Sequence, residues 1–216
     1  MSRSVLPGVV FSVVIVALLP GATRAAAQAD PAAVARARAD SARHPYTEAD
    51  IRFMSGMIHH HAQAIVMARW APTHGASAEV QTLAGRIINA QTDDIRLMQT
   101  WLRDRNQPVP EPNPKGMPMD MGGMQHEMLM PGMLTGEQMS RLDAARGADF
   151  DRLFLSLMIQ HHQGAVAMVK DLFGSYGAGQ DETVFKFASD VNVDQTTEIE
   201  RMRKMLAAVV FQPGAP

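Results

Sequence analysis

Two stretches of the chain hold the residues best suited to chemistry. "FMSGMIHHHAQAIVMA" begins at Phe53 and "FLSLMIQHHQGAVAMV" begins at Phe154. Each contains Met-x-x-His-His followed by a further Met: Met57, His60, His61 and Met67 in the first, Met158, His161, His162 and Met168 in the second. An α-helix turns roughly 100° per residue, so each foursome shares one side of a helix. His61 falls near the middle of an apolar stripe with Phe53, Met54, Met57, Ala64, Ile65 and Ala68, and His60 lies at its edge in line with Met67. His59 points to the opposite side and reads as a surface residue, with Gln160 as its counterpart. Imidazole and thioether together suit copper, and the thioether favours Cu(I) or Ag(I) over Zn(II), with Cu(II) as a further candidate.

A second group of soft donors follows. Met117, Met119, Met121, Met124, Met128, Met130 and Met133 put seven methionines into seventeen residues, with His126 among them. Closely spaced thioethers can converge on one soft ion, whereas a Pro/Gly-rich segment gains little from oxidisable apolar side chains. Met117, Met119, Met121, Met124, His126 and Met128 are therefore candidate ligands; a hydrophobic flap laid over the fold is the alternative.

The elements that must position these groups come in two copies. At an offset of 101, Asp50, Phe53, Ser55, Met57, Ile58, His60, His61, Ala64 and Met67 meet identical residues from Asp151 to Met168. At an offset of 104, Val80, Ala84, Gln91, Thr92, Ile95, Met98 and Leu102 meet identical residues from Val184 to Leu206. Apolar spacing of three and four predicts helices over 47–71, 77–105, 149–173 and 181–210, with "TEAD" as an N-cap and Pro72 as a stop. No strand alternation stands out. A short helix capped by Thr135, with Gln138 three residues on, precedes the second copy. The expected fold is all-α: a ferritin-like four-helix bundle of two repeated hairpins joined by a long Met-rich crossover. In residue terms, 46–106 form the first hairpin, 107–134 an irregular crossover, and 135–210 the short helix and second hairpin.

Gln91 and Gln195 stand at the centres of the partner helices' apolar stripes. A buried amide needs a partner, since an unpaired one costs on the order of 1–3 kcal/mol. Gln91 is expected near His61 and Gln195 near His162, orienting the rings from outside the ligand set. His44 and His74, near helix ends, read as exposed polar positions or accessory ligands.

Composition narrows the function. The 216 residues include 17 Met and no Cys, which excludes disulfides, thiolate metal sites and C-x-x-C-H haem attachment. A net charge of −2 without a basic patch argues against nucleic acid. Arg3, the apolar run Val9–Leu19 and the small residues ending at Ala27-Gln28-Ala29 read as a cleaved signal peptide over 1–29, the alternative being an uncleaved membrane anchor for which the run is short, with an extension over 30–45. The mature chain is then periplasmic or secreted, with no stable membrane span.

"DIRFMSGMIHHHAQAIVMA" and "FDRLFLSLMIQHHQGAVAMV", joined by the Met-rich crossover, resemble the domain-of-unknown-function 305 family (DUF305, CopM-like). The resemblance covers roughly 46–208. It implies a ferritin-like bundle, Met and His ligands at the eight bundle positions named above, and a role in copper binding and resistance outside the cytoplasm. A copper exporter or another periplasmic copper protein is the partner expected of such a role.

Three other readings compete with copper. A di-iron enzyme needs Glu-x-x-His ligands; none occurs, and the core stripes show no Glu at ligand positions, so an enzyme is not expected. A b-type haem bundle with His/Met axial ligands needs no cysteine and stays open. A metal-free structural or interaction bundle also stays open; there each His–Gln pair would only fix helix register.

Overall fold

The computed structural model describes residues 31–32, 46–121 and 124–211. The expected signal peptide and nearly all of the extension lie outside the described residues. The elements run α1 (Glu48–Trp70), α2 (Ala78–Asp104), β1 (Met117–Met121), β2 (Met124–Met128), α3 (Gly136–Ala144), α4 (Gly147–Gly174) and α5 (Glu182–Phe211). Helices α1 and α2 form one hairpin, α4 and α5 the other, and α1 packs across α4. This is the all-α four-helix bundle the repeat predicts. None of the described helices is long and apolar enough to cross a membrane.

The helix starts follow from their capping residues. Thr47 and Asp50 make a reciprocal capping box on α1, and Thr135 and Gln138 make one on α3. Ser77 caps α2 by accepting from Val80 N. Asp181, at the repeat position equivalent to Ser77, accepts from Thr183 N and Val184 N at 3.0 and 3.2 Å. The repeated aspartates tie the halves together. Asp50 on α1 accepts Gly179 N in the α4–α5 turn at 2.7 Å, and Asp151 on α4 accepts Ser77 N in the α1–α2 turn at 3.1 Å. The two acceptors are equivalent in the internal repeat, and each reaches into the turn of the other hairpin.

The crossover departs from expectation. It is not irregular throughout: β1 and β2 pair antiparallel, with Met117 opposite Met128, Met119 opposite His126 and Met121 opposite Met124. The period-two run "MPMDM" was a strand signal hidden by its flanking Pro and Gly. The crossover also covers the outer sides of α1 and α4. Gln63 holds it by donating to Pro114 O at 2.9 Å and Leu134 O at 3.1 Å and accepting from Leu134 N at 2.6 Å. Gly164, at the equivalent repeat position, admits it instead: a Cβ there would stand 1.9 Å from Pro131 O.

The apolar interior is divided in two. One cluster gathers Phe53, Met57, Met98, Trp101, Met168 and Phe187, and the other gathers Met67, Leu83, Ile87, Phe154, Met158 and Met202. The repeated His and Gln positions fall between them.

Candidate metal centre

Between the clusters lies a polar tier made of His60 and His61 from α1, Gln91 from α2, His161 and His162 from α4, and Gln195 from α5. All six are buried, the four histidines completely. The antiparallel crossing of α1 and α4 sets the tier's flanks. Met57 and Met168 belong to the cluster on one side, Met67 and Met158 to the cluster on the other. All eight bundle residues picked out by spacing are buried, the histidines in the tier and the methionines in the two clusters beside it.

At the centre, the rings of His60 and His161 lie 3.8 Å apart, inclined at 40°. His61 and His162 flank them at 6.2 and 6.3 Å from their chain neighbours. His60 Nε2–H donates to Pro131 O at 3.0 Å, so the crossover closes one side of the tier. His61 Nε2–H donates to Asp94 Oδ2 at 3.2 Å, and His162 Nε2–H donates to Glu198 Oε2 at 2.7 Å. Nδ1 of all four histidines is buried without a hydrogen-bond partner, as are His161 Nε2 and the Oε1 atoms of Gln91 and Gln195.

Burial pushes the His60 and His161 imidazoles well below their ordinary value, and the neighbouring histidines add to it by mutual repulsion. Burial also lowers His162, although Glu198 opposes it. The central rings are therefore neutral at physiological pH, the state in which imidazole can ligate a metal.

The glutamines do not pair with the histidines as expected. Asp94 and Glu198 take that part, three residues beyond each glutamine and at equivalent repeat positions. The two carboxylates differ in type, so a search for identical residues passes over them. They stand at the stripe edge, where one turn of helix brings a partly exposed side chain back to a buried ring.

Two other histidines also differ from expectation. His59 points away from the bundle core, yet only 1% of it is exposed, because the crossover lies over it and Asn113 N–H donates to its Nδ1 at 3.2 Å. Gln160, its counterpart, donates to Gly132 O. His74 is buried too: its Nε2–H donates to Asp143 O and Oδ1 at 2.9 and 3.0 Å, between Trp70 and Phe150.

The crossover methionines separate into two sets. Strand alternation places positions 117, 119 and 121, with partners 128, 126 and 124, on one face of the ribbon. Met119, His126 and Met128 are exposed there, and Met117 is half-buried against the bundle; the side chains of Met121 and Met124 lie outside the described set. Met130 and Met133 instead enter the core. Met130 Sδ and Met168 Cε both approach Gly56, at 2.9 and 3.4 Å from where a Cβ would stand. Met130, one of the seven clustered methionines but not among the candidate ligands, thus packs beside Met168.

Above the tier, α2 and α5 enclose a cleft of about 550 Å³ whose lining includes Gln91, Asp94, Asp194, Gln195 and Glu198. Burial raises the Asp194 carboxyl above its ordinary value, aided by Asp190, Glu198 and Asp94. Carboxylates thus crowd the solvent side of the tier. Among the described residues, no three His, Asp or Glu side chains are placed to grip one ion. The tier offers neutral imidazole nitrogens, with thioethers in the apolar clusters on either side, and both are donors that soft ions accept.

A family model for the domain of unknown function DUF305 matches residues 50–206. Among solved structures, a DUF305 protein of Streptomyces coelicolor described as secreted is similar over 78% of this chain and 98% of its own, at 28% identity and a TM-score of 0.62. A DUF305 fragment from Deinococcus radiodurans gives 29% identity, coverage of 76% and 99%, and a TM-score of 0.62. CopM in its Cu(I)-bound form gives 28% identity, coverage of 76% and 98%, and a TM-score of 0.56. CopM is also known in Cu(II)-bound and Ag-bound forms, at 30% and 28% identity and TM-scores of 0.55 and 0.54. The comparison with curated protein sequences gave no match. With the doubled histidine motif, the two-hairpin bundle and the family match over most of its length, the chain belongs to the DUF305 family.

Proposed function

We propose that this is an exported, non-catalytic copper-binding protein that holds Cu(I), with Ag(I) as a close mimic, in the polar tier of its bundle. His60, His61, His161 and His162 supply nitrogen, and Met57, Met67, Met158 and Met168 supply sulfur. The Met/His face of the crossover ribbon makes first contact with the ion. Sequestration, or transfer to an exporter or another periplasmic copper protein, is the role this serves.

The observation that carries the reading is the set of bare ring nitrogens. A bundle that used buried histidines only for register would satisfy them, because each orphaned polar group costs about 1–3 kcal/mol. Here Nδ1 of all four rings has no partner. CopM, similar over nearly its whole length, is known with Cu(I), Cu(II) and Ag. The 3.8 Å ring separation at the tier's centre leaves no gap for a macrocycle between His60 and His161, which counts against haem.

The test is a competitive Cu(I) titration of the protein and of a variant with Met57, Met67, Met158 and Met168 all changed to Leu. A Met→Leu exchange conserves volume and usually costs under about 1.5 kcal/mol, so the effect reads sulfur ligation rather than packing. The expected result is tight binding by the protein and at least a tenfold loss in the variant. Equal affinities would remove the bundle thioethers from the site, and no binding by the protein would end the copper reading.

A further inference from the structure

We propose that Asp94 and Glu198 are positioning residues: by accepting the Nε2–H of His61 and His162, they hold both rings in the tautomer that leaves Nδ1 bare for a metal ion. The inference rests on the copper reading above. A neutral imidazole has one protonated nitrogen and one free lone pair, whereas an ionised carboxylate can only accept. The contacts at 3.2 and 2.7 Å therefore place each proton on Nε2. The opposite nitrogen of each ring is buried and unpaired.

The arrangement is built twice from different residues. Positions 94 and 198 are equivalent in the repeat, and one half uses Asp where the other uses Glu. Both carboxylates face the α2–α5 cleft, with side chains 33% and 24% exposed, while the rings they hold are fully buried. His60 obtains the same tautomer from a neutral acceptor, the Pro131 carbonyl. A carbonyl is thus enough to satisfy a buried N–H, and the carboxylates add charge. A carboxylate behind an imidazole raises its basicity as a ligand. It also offsets the positive charge that an ion brings into an apolar core, where an unpaired charge is costly.

The test combines long-range ¹H–¹⁵N NMR of the metal-free protein with Cu(I) titration. The variants are Asp94→Ala/Glu198→Ala and the exchange Asp94→Glu/Glu198→Asp, which lends each half the other's residue. His61 and His162 should be protonated at Nε2 in the protein. The double alanine variant should lose that single tautomer and bind Cu(I) about 10–100-fold more weakly, and the exchange variant should recover both properties. A merely structural carboxylate would not move the tautomer and the affinity together. Protonation at Nδ1 in the protein, or unchanged tautomer and affinity in the alanine variant, would overturn the inference and leave the copper reading standing. No Cu(I) binding by the protein would overturn both.

Discussion

Gly164→Ala tests how the crossover is seated on the bundle and, through it, one wall of the tier. The added methyl would meet Pro131 O at 1.9 Å, Pro131 C at 2.4 Å and Gly132 Cα at 2.5 Å, all backbone atoms that no rotamer can move aside. Even a tight contact of 3.0 Å requires the crossover to retreat by about 1 Å or more. That retreat pulls Pro131 O from His60 Nε2, now 3.0 Å away, and leaves a buried N–H unpaired. Overpacking costs about 1–3 kcal/mol and the orphaned N–H about 1–3 kcal/mol, while replacing a helical glycine returns up to about 1 kcal/mol. The balance is a loss of about 3 kcal/mol, or roughly 6–12 °C in Tm for a domain of this size. Gly85→Ala is the control: it lies in α2 with nothing within 4 Å of the new methyl, so it should raise Tm slightly. Thermal unfolding followed by circular dichroism reads both. If Gly164→Ala matched or exceeded the stability of Gly85→Ala, the crossover would not be seated on α4 as described.

Acid should destabilise the metal-free protein through its central histidines. The folded state holds His60 and His161 well below their ordinary value of 6.5 by burial, so the unfolded chain binds more protons below that pH. Stability is then full above about pH 6.5 and falls by about 1.4 kcal/mol per pH unit for each ring that stays neutral, until the folded pKa is reached. Urea unfolding at pH 7.5 and 5.5 reads the slope, and equal midpoints would contradict burial of neutral rings. The ribbon predicts a separable effect: changing Met117, Met119 and Met128 to Leu and His126 to Ala should slow Ag(I) uptake in stopped-flow measurements while leaving the tightest Cu(I) site intact. An unchanged uptake rate would remove the ribbon from capture.

The bundle was legible because its evidence is periodic. Two offsets, 101 and 104, brought the repeated helices into line, and Thr47, Ser77 and Thr135 marked starts that the structure keeps. The same pattern placed Met57, His60, His61 and their repeats inside the fold. What it missed involves contacts between elements far apart in the chain. A helical wheel sends His59 outward correctly but knows nothing of the crossover that comes back over it through Asn113. His74 sits in a turn, where no periodicity speaks for burial, and α3 buries it. Asp94 and Glu198 escaped because repeat matching rewarded identity, whereas the shared feature was a carboxylate within reach of a ring. The methionine ribbon was readable from its period of two, had the Pro and Gly around it not argued for irregular chain.

Imidazole nitrogen and thioether sulfur from the bundle are proposed to hold buried Cu(I) together. Copper K-edge X-ray absorption of the protein loaded with one equivalent of Cu(I) tests that claim most directly. The predicted spectrum fits only with both nitrogen and sulfur neighbours, and the sulfur contribution disappears when Met57, Met67, Met158 and Met168 are changed to Leu. A first shell of nitrogen and oxygen alone, unaltered by those substitutions, would contradict it.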